Sequence, residues 1–300
     1  MKVLICYFSG TGNTEKIAEL YRSAFTARGH EVEVISLPLS DGKTPDVAGY
    51  DLLGFGYPIH AFNAPKTMLD FCKSLAKRGK NAPSVRAFVF KTSGEPVRMS
   101  DVSSIKACKI LKPRGITVTN EYQYVMPYNI IFRHSDDAVY KMWQTAQNLV
   151  PVDVEEIISG KSVRPRKMFM GGFLARILRA EHWGAHIIGK TYKTNKSCVK
   201  CGKCIKLCPV NNIKIKKSGK LKFGGKCIMC MRCSMFCPKK AVELGLLKHW
   251  KVNGEYSFAP PDPDAELPPD KHADYCAKAY ARYYAAAEQK IAESRNGDAN

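Results

Sequence analysis

Acid is scarce in one long stretch of this chain. From Lys161 to Lys251 there are 23 Lys and Arg but only two acids, Glu181 and Glu243, a surplus larger than the +20 of all 300 residues. A face that basic steers acidic proteins or an anionic membrane surface toward it. Nucleic acid would answer to the same charge, but no nucleic-acid-binding motif accompanies it, so that class is set aside. Long apolar runs are also missing: none approaches the ~18 residues needed to cross a bilayer. Met1 to Leu4 lead straight into a strand-like run, with no basic leader or cleavage site. The Gly-rich loop that follows has no Lys, which excludes a Walker-type nucleotide loop, and no third glycine, which excludes a dinucleotide fingerprint. NAD(P)H use is therefore not expected.

Cysteine, by contrast, is plentiful and ordered. Cys198 to Pro209 reads CVKCGKCIKLCP and Cys227 to Pro238 reads CIMCMRCSMFCP, the same C-x2-C-x2-C-x3-C-P pattern repeated after 29 residues. Thiolates favour soft metals, and this spacing lets three consecutive cysteines hold one [4Fe–4S] cube while the fourth reaches across to the other. The expected sets are Cys198, Cys201, Cys204 and Cys237 for one cluster, and Cys227, Cys230, Cys233 and Cys208 for the second. A single C-x2-C pair would fit zinc, but two complete runs with their prolines do not. A disulfide framework fits poorly, because the other four cysteines are scattered singly. Reduced thiols and cluster ligands both point to the cytoplasm and a low-oxygen setting. Two cubanes would offset only about four of the positive charges around them.

The first half alternates strands and helices. Lys2 to Ser9 is an apolar run suited to a buried parallel strand, followed by SGTGNT, Ser9 to Thr14, and a helix with Ile17, Leu20, Tyr21, Ala24 and Phe25 on one face. Strand, Gly-rich loop and helix make a phosphate cradle. Backbone N–H groups at Gly10 and Gly12 approach the anion, and Ser9, Thr11, Asn13 and Thr14 add neutral donors. Such a site suits a phosphate monoester without a metal. Further strands are expected at Glu31 to Ser36, Asp51 to Gly56, Val85 to Phe90 and Ile116 to Val125. Helices are expected from Pro65 at a first helical turn, over Ile105 to Leu111, and after the cap Ser135, broken or kinked at Pro151. The alternation predicts an α/β, doubly wound parallel sheet whose loops meet at the carboxyl edge.

Ser9 to Thr14 resembles the phosphate loop of flavodoxins, and Cys198 to Pro238 resembles the bacterial two-cluster ferredoxins. With GYPIHAFNAP, FKTSGEP, MPYNIIFR and KCIMCMRCSMFCPKKA, the whole chain resembles the flavodoxin–ferredoxin fusion proteins of anaerobes. The resemblance implies a flavodoxin-like sheet of order 2-1-3-4-5 carrying FMN, and a small α+β ferredoxin domain. It also implies two flavin-ring loops, with Tyr57, Pro58, Ile59, His60, Phe62 and Asn63 in one and Thr92, Ser93, Gly94 and Glu95 in the other. The ring-stacking Trp and Tyr common in flavodoxins have no clear counterpart; Tyr57, His60, Phe62 and Tyr128 are the candidates, and Tyr128 suits packing as well as stacking. His60 reads equally as a plain loop residue. Cys6 belongs in the core, and Cys72, Cys108 and Cys276 read as core or surface thiols.

The expected divisions are 1–160 for the flavin domain, 161–195 for a basic connecting helix, 196–246 for the ferredoxin domain, and 247–300 for a Pro-rich linker with a last helix. Phe169, Phe173, Leu174, Ile177 and Leu178, with Lys167, Arg176 and Arg179 among them, form a basic amphipathic pattern. That pattern fits a helix packed on the body or one lying on a membrane. Cys276, Tyr280, Tyr283, Tyr284, Ala287 and Ile291 form a stripe suited to docking on the main body. The leading functional expectation is an electron carrier relaying between two clusters and FMN, served by an acidic redox protein such as a ferredoxin or a reductase. Two alternatives stay open: a flavin-dependent reductase of a quinone, enone or nitro compound, and a flavin-free docking module fused to a ferredoxin.

Overall fold

A computed structural model of the chain describes residues 1–39, 42–77, 79, 83–96, 98–165, 170–178, 180–262 and 271–297. Of the residues singled out above, Lys167, Phe169 and Arg179 lie outside the described set, as do the Leu174 side chain and most of the Pro-rich stretch.

Five parallel strands form the central sheet in the order β2-β1-β3-β4-β5. They are β1 Lys2–Phe8, β2 Glu31–Leu37, β3 Leu52–Pro58, β4 Val85–Ser93 and β5 Ile116–Val125. The central strands are buried on both faces, which is why β1 and β3 read as nearly continuous apolar runs. On one face pack α1 (Asn13–Thr26) and α4 (Asp136–Ile158), around Tyr21, Phe25, Phe88 and Tyr124. The other face packs α2 (Lys66–Ser74) and α3 (Ile105–Leu111), around Phe55, Phe71, Met68 and Leu111. Each of these fully buried side chains contributes roughly 1.5–3 kcal/mol. Cys6 and Cys72 are core residues, as expected.

Two local expectations are corrected. α4 runs through Pro151 unbroken. The ring removes one backbone donor, but Val150 and Val154 on either side are fully buried and hold the helix in place. Pro65 is the extended residue that caps α2 rather than its first helical residue.

The connecting segment is helical over α5 (Gly171–Leu178) and α6 (Ala180–Lys190). Beyond them the small domain carries the mark of duplication in its backbone. β6 (Lys193–Thr194) pairs with β9 (Val242–Glu243), and β7 (Ile213–Ile215) with β8 (Leu221–Phe223). The short helices α7 (Lys203–Lys206) and α8 (Arg232–Met235) are 29 residues apart, and so are three pairs of left-handed residues. The φ angles are +55° at Lys200 and +50° at Met229, +75° at Gly202 and +58° at Met231, and +49° at Asn211 and +48° at Lys240. Only Gly202 adopts this conformation at no cost; the other five are held there by their surroundings. The domain's own core is small, built on Tyr192, Ile213, Phe223, Met231, Val242 and Leu244.

The two halves are fastened together by the stretch between β5 and α4. Ile130 bridges to Lys251, and Arg133 Nη1 donates to the carbonyls of Asn253 (3.1 Å) and Gly254 (2.8 Å). The Tyr256 hydroxyl donates to Tyr128 O at 2.8 Å. α9 (Ala273–Gly297) then returns along α4, with Cys276 and Tyr280 packed on Val125 and Met142, so the tail stripe docks on the main body.

Candidate redox site

The carboxyl edge of the sheet brings together the loops after β1, β3 and β4. The loop after β1 turns into α1 through Gly12, whose φ of +98° is costless only for glycine. No side chain caps the first turn of α1, so its N–H groups and the positive end of its dipole face the loop. Ser9, Asn13 and Thr14 are buried there. The Gly12 N–H donates to Ser9 Oγ at 3.0 Å, and Thr14 Oγ1 meets Thr92 Oγ1 at 2.8 Å, joining the first loop to the third. Thr11 Oγ1 donates to Asn129 Oδ1 at 2.6 Å and Asn13 Nδ2 to Pro127 O at 2.8 Å, tying the loop to the MPYNIIFR segment.

Beside this loop lies a cavity of about 290 Å³. Of the expected flavin-contacting residues, Asn13, Pro58, Ile59, His60, Phe62 and Thr92 to Glu95 line it. Tyr57 does not. It is fully buried among the residues packed on α2 and α3, because strand alternation turns it to the opposite side from its cavity-lining neighbour Pro58. Asn63 is buried and closes the His60 turn instead, its Nδ2 donating to Ala61 O at 3.0 Å. Ser9, Gly10, Thr11, Gly12 and Thr14 flank the cavity rather than line it. Tyr128 does line it, with its ring against Gly94: a Cβ on Gly94 would fall 2.1 Å from that ring. Burial first, and then the Glu95 carboxylate, push the Tyr128 phenol well above its usual range.

Three further groups complete the site, and neither the first two nor His134 of the third carried a legible signal. Met229 and Met231, from the ferredoxin half, line the same cavity. Arg232, from that half too, donates from Nε to Gly10 O (2.9 Å) and from Nη2 to Ser9 O (2.7 Å). The loop expected to offer only neutral donors therefore has a guanidinium against it. The third group is a brace behind Gly94. The Tyr128 N–H donates to His134 Nδ1 at 3.2 Å, His134 Nε2 meets the Tyr280 hydroxyl at 2.8 Å, and that hydroxyl donates to Gly94 O at 2.7 Å. The chain closes only with the proton of a neutral His134 on Nε2. Next to Thr92 in sequence, the buried Lys91 forms an ion pair with Glu121 at 3.7 Å, extended at 2.9 Å by Arg164 from the connecting segment.

The eight repeated cysteines fall into two groups of four. Cys198, Cys201, Cys204 and Cys237 line one cavity. Around Cys233, burial and then the neighbouring sulfurs of Cys230, Cys227 and Cys208 raise the thiol. Thiols that raise one another in this way are relieved by a bound cation. Backbone N–H groups are aimed at the sulfurs in matching places: Asn212 donates to Cys208 Sγ and Ala241 to Cys237 Sγ, both at 3.2 Å, and Met229 to Cys227 Sγ at 3.4 Å. Such donors stabilise thiolate charge. Among the described residues no three His, Cys, Asp or Glu close on a point suited to one metal ion. The four cysteines of the first group instead line a common cavity, the room a polynuclear cluster would need. The donor set thus fits iron–sulfur clusters, and the uncapped helix, loop and cavity fit a flavin phosphate and ring.

The two sulfur groups differ in position. Cys201 is exposed and its neighbour Val199 is 59% exposed. Cys230 faces the other way, with its carbonyl against Gly10 and its side chain packed on the core beside α2 and α3.

Known proteins resemble each half of the chain separately. Residues 4–114 match the flavodoxin domain family, and residues 197–242 match the 4Fe-4S dicluster domain family. An uncharacterised protein of Methanocaldococcus jannaschii is 32% identical over 124 residues, which make up 41% of this chain and 73% of that protein. Among solved structures, a Streptococcus pneumoniae flavodoxin is similar with 17% identity and a TM-score of 0.39, covering 53% of this chain and 99% of that one. The Megasphaera elsdenii flavodoxin is similar with 25% identity and a TM-score of 0.35, covering 41% and 85%.

Proposed function

The chain belongs to the flavodoxin–ferredoxin fusion proteins, and from that premise we propose that it relays electrons between two [4Fe–4S] clusters and one FMN. Cys198, Cys201, Cys204 and Cys237 hold an outer cluster. Cys227, Cys230, Cys233 and Cys208 hold an inner one. When bound, the clusters exchange single electrons and the flavin accepts one or two, which lets one-electron and two-electron partners communicate.

The observation that carries this reading is the seating of the inner-cluster loop. Met229 and Met231 form part of the wall of the flavin cavity, and Cys230 and Arg232 rest on the phosphate loop. The chain's residues have separable tasks. Ser9 to Thr14 and the start of α1 receive the phosphate, with Arg232 adding positive charge beside them. Pro58 to Phe62, Thr92 to Glu95 and Tyr128 enclose the ring. The two methionines keep water from the gap between loop and cavity, since they are apolar and adaptable in shape. Around the outer cluster, Lys200, Lys203 and Lys239 offer charge to an acidic one-electron carrier such as a ferredoxin or a reductase. The cytoplasm is the compartment that suits reduced thiols.

Anaerobic rapid mixing of the full-length, cofactor-loaded protein tests the relay. Cluster absorbance should bleach first and recover as the flavin absorbance falls. Clusters that stay reduced beside an oxidised flavin would remove the proposal. Iron and flavin counts per chain separate this reading from a flavin-free ferredoxin.

A further inference from the structure

We infer that α5, α6 and the turn Gly245–Trp250 form a peripheral attachment site for an anionic membrane surface. This inference stands apart from the redox reading, because it uses none of the cavity or cluster residues.

The helices are built the wrong way round for an ordinary surface element. Their small residues face inward: Ala175 on α5 is 2% exposed and Ala185 on α6 is 3% exposed. Four large apolar residues face outward, while Ile188 packs on the core of the small domain. Phe173 and Ile177 sit four apart on α5, and Trp183 and Ile187 four apart on α6, the last two 78% and 65% exposed. α6 packs against the turn Gly245–Trp250, which adds exposed Leu246 and Trp250. Single exposed apolar residues are common on any protein; six on three neighbouring elements are a binding surface. This segment therefore packs on the body through Ala175, Ala185 and Ile188, and shows apolar side chains as well as charges to water.

Three observations choose the occupant. Two of the chain's three tryptophans are on this surface, and Trp is the side chain best suited to the boundary between lipid headgroups and hydrocarbon. The surface lies inside the window of 23 basic and two acidic residues, which attracts anionic lipid. The same charge sets a second copy of this chain against itself, which disfavours self-association through this face. No helix among the described residues is long and apolar enough to cross a membrane, so attachment is in the plane of the surface.

Flotation of the full-length, cluster-loaded protein with vesicles decides the matter. It should travel with vesicles of phosphatidylcholine containing one third phosphatidylglycerol and not with phosphatidylcholine alone. Its tryptophan emission should shift to the blue and be quenched by brominated lipid. The double variants Phe173→Ser with Ile177→Ser and Trp183→Ser with Ile187→Ser should each lower partitioning at least about tenfold. Cluster absorbance reports whether a variant is folded, and quenching in the unaltered protein gives an answer if one is not. The proposal is overturned if anionic vesicles leave the protein behind, or if brominated lipid quenches nothing. It is also overturned if folded apolar variants bind as the parent does, since charge alone would then explain binding, or if this face proves to join two copies in solution.

Discussion

The carbonyl oxygen of Cys230 occupies the space that a side chain on Gly10 would need: a Cβ there would lie 2.3 Å from it. Gly10 is therefore required by the approach of the ferredoxin half as well as by the approach of a phosphate. Replacing it with alanine should push the inner-cluster loop off the flavodoxin loop while leaving both sets of ligands intact. Gly10→Ala is expected to keep its iron and FMN and to lose at least about tenfold in the rate of cluster-to-flavin transfer measured by rapid mixing. An unchanged rate would mean that the contact does not set the transfer distance.

Arg232 makes a prediction that separates charge from packing. Its guanidinium sits on the carbonyls of Ser9 and Gly10, so it adds positive charge at the phosphate loop. Arg232→Met should raise the FMN dissociation constant by about tenfold, in keeping with the roughly 1.5–3 kcal/mol of charge-assisted contacts. Riboflavin, which has no phosphate, should bind the variant and the parent alike. Equal losses for both ligands would show that Arg232 acts by holding the loops together.

The two sulfur groups predict a crossed pattern of loss. Cys237→Ala should remove the outer cluster, though residue 237 follows the inner-cluster cysteines in sequence, and Cys208→Ala should remove the inner one. Iron analysis should find half the iron in each variant. Only Cys237→Ala should retain cluster-to-flavin transfer when a small reductant is supplied. If Cys208→Ala transfers and Cys237→Ala does not, the order of the clusters is reversed.

A buried acid under α9 predicts the pH dependence of the tail. Asp153 pairs with Lys290 at 2.6 Å and accepts from the Tyr124 hydroxyl. Burial outweighs the pull of Lys290 and raises Asp153 from 3.8 to about 6. The folded state therefore holds this proton more tightly than the unfolded state does. The resulting stability is fully present below about pH 4 and is lost as the pH rises through about 6. Neighbouring Glu156 is lowered, and its contribution runs the opposite way, so the whole-protein curve mixes the two. Comparing the parent with Asp153→Asn isolates the first. Their difference in unfolding free energy should change by roughly 2–2.5 kcal/mol between pH 4 and pH 7, against the parent at higher pH. A difference independent of pH would contradict the raised value.

The sheet and the two cysteine repeats were legible because each rests on local pattern; the strand order came only with the flavodoxin resemblance. Buried parallel strands read as apolar runs, and ligand spacing is linear in sequence. The phosphate loop was legible for the same reason. Tyr57 was misplaced because a loop resemblance does not carry the parity of the strand it leaves. Arg232, Met229 and Met231 were hidden because their roles depend on how two domains meet, which no periodicity encodes. His134 and Tyr280 lie 146 residues apart yet share a hydrogen bond. Only the docking of α9 makes them neighbours, and the tail stripe indicated the docking without its target.

Tyr280 also bears on the timing of assembly. Synthesis runs from the first residue onward, so the five-stranded sheet emerges from the ribosome early. The flavin cavity is walled by residues 229 and 231 and braced by residue 280. A nascent flavodoxin half thus has its phosphate loop before the residues that wall and brace the neighbouring cavity have been made.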